Sequence, residues 1–170
     1  MKLDRYQRLM LANQYLILEK LYPSEEEFYR NNRIAYENGF EAHYSWATEH
    51  ILDPLSPDNS RLVLDVLAMY SSIYFAVRET EAFDFNSRFR FDGFDGNEET
   101  KLLIYCRYFV NDLDRYQELK YGAAEGDFNS HGPTLEMYRE QLERWRAVGD
   151  RIRLTKDQAE YILGISGRQS

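Results

Sequence analysis

Hydrophobic positions along the chain recur mainly at intervals of three and four, the period of an amphipathic helix. Residues 3–21 place Leu3, Tyr6, Leu9, Met10, Ile17 and Leu21 on that spacing, and Pro23 stops the run. Asn13 and Gln14 interrupt it; an amide there either sets register against a polar partner or turns to solvent. The next segment, "SEEEFYRNNRIAYENG", opens with Ser24 three residues before Glu27, the spacing of a capping box, and closes at Gly39. A shorter helix is expected over 41–52, ending before Pro54. Ser56, Pro57 and Asp58 mark another start. From Leu62 to Val77 the chain is then apolar on nearly every face, as in a helix buried on several sides. "EETKLLIYCRYFVNDLDRYQEL" is similarly rich. The pattern predicts an all-α chain, one domain over 1–170, with two central apolar helices at about 57–82 and 96–119.

Weaker signals fill the rest. Phe89 and Phe91 alternate with Arg88 and Arg90 in "FDFNSRFRFDGFDGN", so a short extended segment is expected. "YGAAEGDFNSHG" reads as a loop, and Pro133 opens a helix that Gly149 stops. "RIRL" is extended; Thr155 and Gln158 repeat the capping-box spacing before a last helix through Leu163 and a frayed tail, "GISGRQS".

"FDGFDGNEET" looks like an ion-binding loop and fails as one. An EF-hand needs oxygen ligands at positions 1, 3 and 5, glycine at 6 and glutamate at 12. Counting from Asp92 puts Phe94 at 3 and Gly96 at 5; counting from Asp95 puts Thr100 at 6 and Cys106 at 12. A phosphate loop would end in Lys and Ser/Thr with few acids, and this one is acidic. A helix start fits better, with Asp95 as cap, Glu98 completing the box and Gly93 supplying a positive φ.

Composition narrows the function classes. A net charge of −8 repels a nucleic-acid backbone, and the arginines from Arg139 to Arg153 are interleaved with Glu140, Glu143 and Asp150. His43 and His50 lie seven apart, about 10.5 Å along a helix, too far for one metal, and no paired Cys/His spacing occurs. Ser71 and Ser72 sit inside a helix rather than on a nucleophile elbow. The single Cys106, in an apolar run, reads as a core residue in a reducing compartment. No signal peptide and no membrane span are expected, which places the chain in the cytoplasm. No catalytic residue, metal or cofactor is predicted. The 14 Tyr, 10 Phe and 2 Trp point instead to semi-buried surfaces at interfaces or in a groove.

One polar set remains. Arg107, Asn111 and Arg115 are four apart, a single stripe on a continuous helix, with Tyr108 and Tyr116 beside it. Such a line suits a carboxylate, a phosphate or a partner helix. It equally suits structural ion pairs, such as Arg115 with Glu118.

Several strings resemble the YfbU family of bacterial proteins, in the same order: "QRLMLANQY", "FDGFDGNEE", "CRYFVND", "RYQEL", "DFNSHGPTLEMYREQLERW" and "LTKDQAEYIL". They cover nearly the whole chain. The resemblance implies a compact all-helical cytoplasmic protein and carries over no catalytic residue. The leading expectation is therefore a non-enzymatic homo-oligomeric interaction protein, with an unknown protein partner open beside self-association. The alternative is a binder of a small anionic ligand, or an enzyme, with a pocket beside the 96–119 helix at Arg107, Asn111, Arg115 and Tyr116. A DNA-linked regulator ranks below both on charge.

Overall fold

Six α-helices, joined by short 3-10 turns, and no strand make up the described residues of the computed structural model, 2–78, 88–121 and 126–165. Met1, the end of the 57–82 helix beyond Arg78, residues 83–87, the 122–125 loop and the 166–170 tail lie outside them. The helices group into two units, Met1–Pro54 and Leu55–Ser170.

In the first unit, α1 (Arg5–Leu21) packs on α2 (Glu26–Asn38). Asp4 starts α1 with a full capping box: its carboxylate accepts the Gln7 N–H at 2.9 Å, and the Gln7 side chain accepts the Asp4 N–H at 3.0 Å. The inner face of α1 carries Arg8, Leu11, Ala12, Tyr15, Leu18 and Glu19, spaced three and four apart. Between the helices runs a ladder of tyrosines, with successive ring centroids 6.1 Å (Tyr22–Tyr29), 6.2 Å (Tyr29–Tyr15), 5.5 Å (Tyr15–Tyr36) and 5.0 Å (Tyr36–Tyr44). Toward the connecting turn of the hairpin the buried Glu19 accepts from Arg33 at 3.0 Å and from Lys20 at 3.4 Å. The Arg33 hydrogen bond leads the causes that hold the Glu19 carboxyl below its ordinary value.

Two expectations for this unit are corrected. Ser24 does not cap α2. Pro23 opens a 3-10 turn over Pro23–Glu25, so Ser24 lies inside that turn, and Glu25 precedes α2 with no side-chain cap bond. The helix expected over 41–52 is a 3-10 turn, Glu41–His43, followed by turns closed three residues apart, as in Trp46 N–H to His43 O and Ile51 N–H to Thr48 O. His, Tyr, Ser, Trp and Thr in this run are indifferent helix formers, and no N-terminal cap is offered. Gly39, at φ 74°, ends α2 as expected.

The second unit is organised around α3 (Pro57–Val77). Ser56 accepts the Asn59 N–H at 3.2 Å, and Pro57 takes the first turn, where its missing N–H costs nothing. Val63, Val66, Leu67, Met69, Tyr70, Ile73 and Val77 are buried against α4 (Thr100–Arg107), α5 (Leu135–Ala147) and α6 (Lys156–Leu163). By length and hydropathy α3 would pass for a membrane span, yet it is the core helix of this unit. Its Tyr70 hydroxyl donates to Gln141 on α5 at 3.0 Å, giving each buried polar group its partner.

The expected extended segment is instead a turn and bend over 88–90, although the burial alternates as the sequence does, with Phe89 and Phe91 buried and Arg88 and Arg90 exposed. With Phe94, Phe128 and Tyr138 they form an aromatic cluster in which Phe91 lies 5.7 Å from Phe128 and 5.9 Å from Tyr138. Phe94 forms an isolated parallel bridge with Asn129. Here only glycine fits at position 93: φ is +90°, and a Cβ would stand 1.8 Å from the Phe128 carbonyl oxygen.

The expected 96–119 helix is shorter than the sequence pattern suggests. α4 starts at Thr100, widens into a π turn at Tyr108–Asp112, and ends. Asp114 and Tyr116 then take left-handed φ values of 52° each, before a 3-10 turn at Gln117–Lys120. The Gln117 amide reaches back to the Val110 carbonyl, satisfying a group that the broken helix leaves open.

Candidate functional site

The four residues singled out on the 96–119 segment do not share a helical stripe, because the helix ends before Arg115. Arg107, the last residue of α4, donates its Nε to the Asp127 backbone oxygen at 2.7 Å and pairs its guanidinium with the Asp127 carboxylate. Asn111 donates to the Gly126 carbonyl at 3.1 Å. The two therefore fasten the incoming 126–128 segment to α4. Arg115 is exposed beyond the break, and Tyr116 is half-buried with its ring 6.4 Å from Phe109. Burial leads the causes that push the Tyr116 hydroxyl up.

The acidic loop proves to be a junction. The Asp95 carboxylate accepts the Asn97 N–H at 3.2 Å and the Glu98 N–H at 2.7 Å, so it closes the turn before α4 rather than capping the helix, whose N-cap position is Glu99. The returning partner is Glu99, not Glu98: the Asp95 N–H donates to Glu99 at 3.0 Å. Glu99 also accepts the Thr134 N–H at 2.8 Å, the Leu135 N–H at 2.7 Å and the Thr134 hydroxyl at 2.9 Å. One buried carboxylate thus closes the entry to α4 and caps α5, where Pro133 was expected to open the helix. Burial pushes the Glu99 carboxyl up, and these donors outweigh it, so its pKa is lowered. The sequence signal for this role was Thr134 standing directly before a helix without an acidic residue three positions on.

Cys106 is fully buried in the core, and burial pushes its thiol up to about 12 despite the neighbouring Arg107. It stays protonated and unreactive at neutral pH. Among the described residues no three of His, Cys, Asp and Glu converge to hold an ion.

The first unit also carries a large apolar surface. Its buried hydrophobic core is Ala12, Tyr36, Tyr44 and Ala47. Outside that core, α1 exposes Tyr6, Leu9, Met10, Leu16, Ile17 and Leu21 on the side away from α2. These include five of the six positions that make its sequence amphipathic; the helix has two apolar faces, and α2 covers one. On the far side of α2 a groove of about 450 Å³ runs between Phe28 and Ile34 and the turn carrying Phe40, His43 and Trp46. The His43 and Trp46 rings lie 4.3 Å apart. The His43 Nδ1 and the Tyr44 hydroxyl are both buried without a hydrogen-bond partner.

A family model and a curated relative show what the chain is similar to. The family model described as the YfbU domain matches residues 1–164. The UPF0304 protein MJECS11 of Methanocaldococcus jannaschii is 34% identical over 150 residues, covering 85% of this chain and 88% of that protein. That relative is archaeal, so the likeness reaches beyond bacteria.

Proposed function

We propose that this chain, which belongs to the YfbU family, is a non-enzymatic cytoplasmic protein that assembles with copies of itself through the apolar faces of Met1–Pro54. One observation carries the reading. A unit with five buried hydrophobic residues, three of them alanines, leaves six large ones exposed on a single helix. Monomers seldom expose contiguous apolar patches beyond a few hundred Å², and aromatic, apolar surface is what an oligomer interface buries. The test is sedimentation velocity at micromolar concentration. A stable multiple of the chain mass is expected, and a clean monomer across the range would refute the proposal.

A further inference from the structure

The exposed face of α1 has a centre, and the centre is polar. Relative to Asn13, Met10 and Leu16 stand three residues away, Leu9 and Ile17 four, and Tyr6 and Lys20 seven. These offsets define one helical face. They are also symmetric. Reversing the helix about Asn13 places Leu9 on Ile17, Met10 on Leu16, Tyr6 on Lys20, and Asn13 on itself. Apolar meets apolar around a central amide, and at the ends a phenol ring meets an ammonium stem. Such self-complementarity is the requirement of a two-fold interface, in which residue i meets j and j meets i.

We infer that the occupant of this face is α1 of a second copy, packed antiparallel, with the two-fold axis at Asn13 and its amide paired to the partner's Asn13. This rests on the self-assembly reading above and specifies its geometry. A single amide in an otherwise apolar seam fixes register, because any slip buries it against hydrocarbon. The area is sufficient. Tyr6, Leu9, Met10, Leu16, Ile17 and Leu21 are between 44% and 80% exposed. At roughly 150–200 Å² per large side chain, that is about 600 Å² on one copy. Two copies would bury about 1,200 Å², the lower end of specific interfaces. The seam carries Lys20, and at its ends Leu21 falls on Arg5; both charges are basic, so the overall charge of −8 is not concentrated where the copies meet.

The experiment uses the full chain with one cysteine introduced at a time; the native Cys106 is buried and stays out of the reaction. In an antiparallel pair, Asn13→Cys stands beside its own mate, within disulfide reach. Lys20→Cys stands about 21 Å from its mate along the axis, ten and a half on either side of the centre. Under mild oxidation N13C is expected to form a cross-linked dimer and K20C is not. Ile17→Glu, on an exposed position that leaves the helix intact by circular dichroism, is expected to halve the sedimenting mass. An oligomer that N13C fails to cross-link and I17E fails to split would overturn the α1 pairing while self-assembly stands. Cross-linking at both N13C and K20C would overturn the antiparallel arrangement. A monomeric wild-type chain would overturn both.

Discussion

Glu99 shows how far one residue's environment departs from its local pattern. The spacing D-x-x-E points to Asp95 and Glu98 as a helix start; Asp95 does receive the Glu98 N–H, but in the turn before α4. The second half misses by one position. Three backbone N–H groups and a hydroxyl converge on Glu99 from both sides of the unit, and two of those N–H groups belong to the start of α5. No local rule includes a helix 35 residues away. The donors hold its carboxyl below the ordinary 4.5. A depressed carboxylate stabilises the fold fully above its unfolded value and loses that contribution as pH falls through the folded one. Glu99→Gln presents an NH2 to donors and keeps one acceptor, so a loss of about 2–4 kcal/mol is expected at pH 7. The deficit in melting temperature should shrink as pH drops below 4.5. Thermal melts of both chains from pH 3 to 7 would show it; a pH-independent deficit would remove the carboxylate from the account.

Among elements, those with a local stop or start were legible. Gly39, Ser56–Pro57 and Thr155–Gln158 end or begin helices where the sequence says they do. Thr155 accepts the Gln158 N–H at 3.2 Å and Gln158 accepts the Thr155 N–H at 2.8 Å. Thr155→Ala should therefore cost about 1 kcal/mol, with Thr155→Ser nearly neutral, in urea unfolding curves. The α4 end was not legible. Periodicity continues through Leu113 and Leu119, but the chain breaks at Asp112 because the Gln117 amide and the left-handed Asp114 and Tyr116 satisfy the freed backbone groups. That break also dissolves the Arg107–Arg115 stripe. Arg107 and Asn111 bind the chain itself: their partners, Asp127 and Gly126, come from a loop that periodicity cannot locate.

At the scale of the molecule, the all-α class and the central position of the 57–77 helix follow from composition and period alone. Which apolar face of α1 would be covered does not: both faces satisfy the three–four spacing, and the choice depends on where α2 returns. The face left bare makes stability a matter of mass action. If copies associate through it, the melting temperature should rise by a few degrees for each tenfold increase in protein concentration, and I17E should abolish that slope. A concentration-independent transition in the wild-type chain would count against association.

The Glu99 junction has a temporal side. What looks like the local start of α4 closes only when Thr134 arrives, so a helix boundary carries the loop-closure cost of a long-range contact. Helix α4 can form early while its entry stays open, and the lock between α4 and α5 belongs to the last part of folding. Removing the Glu99 carboxylate should then leave the refolding rate almost unchanged and speed unfolding, which is the behaviour of a latch rather than a nucleus.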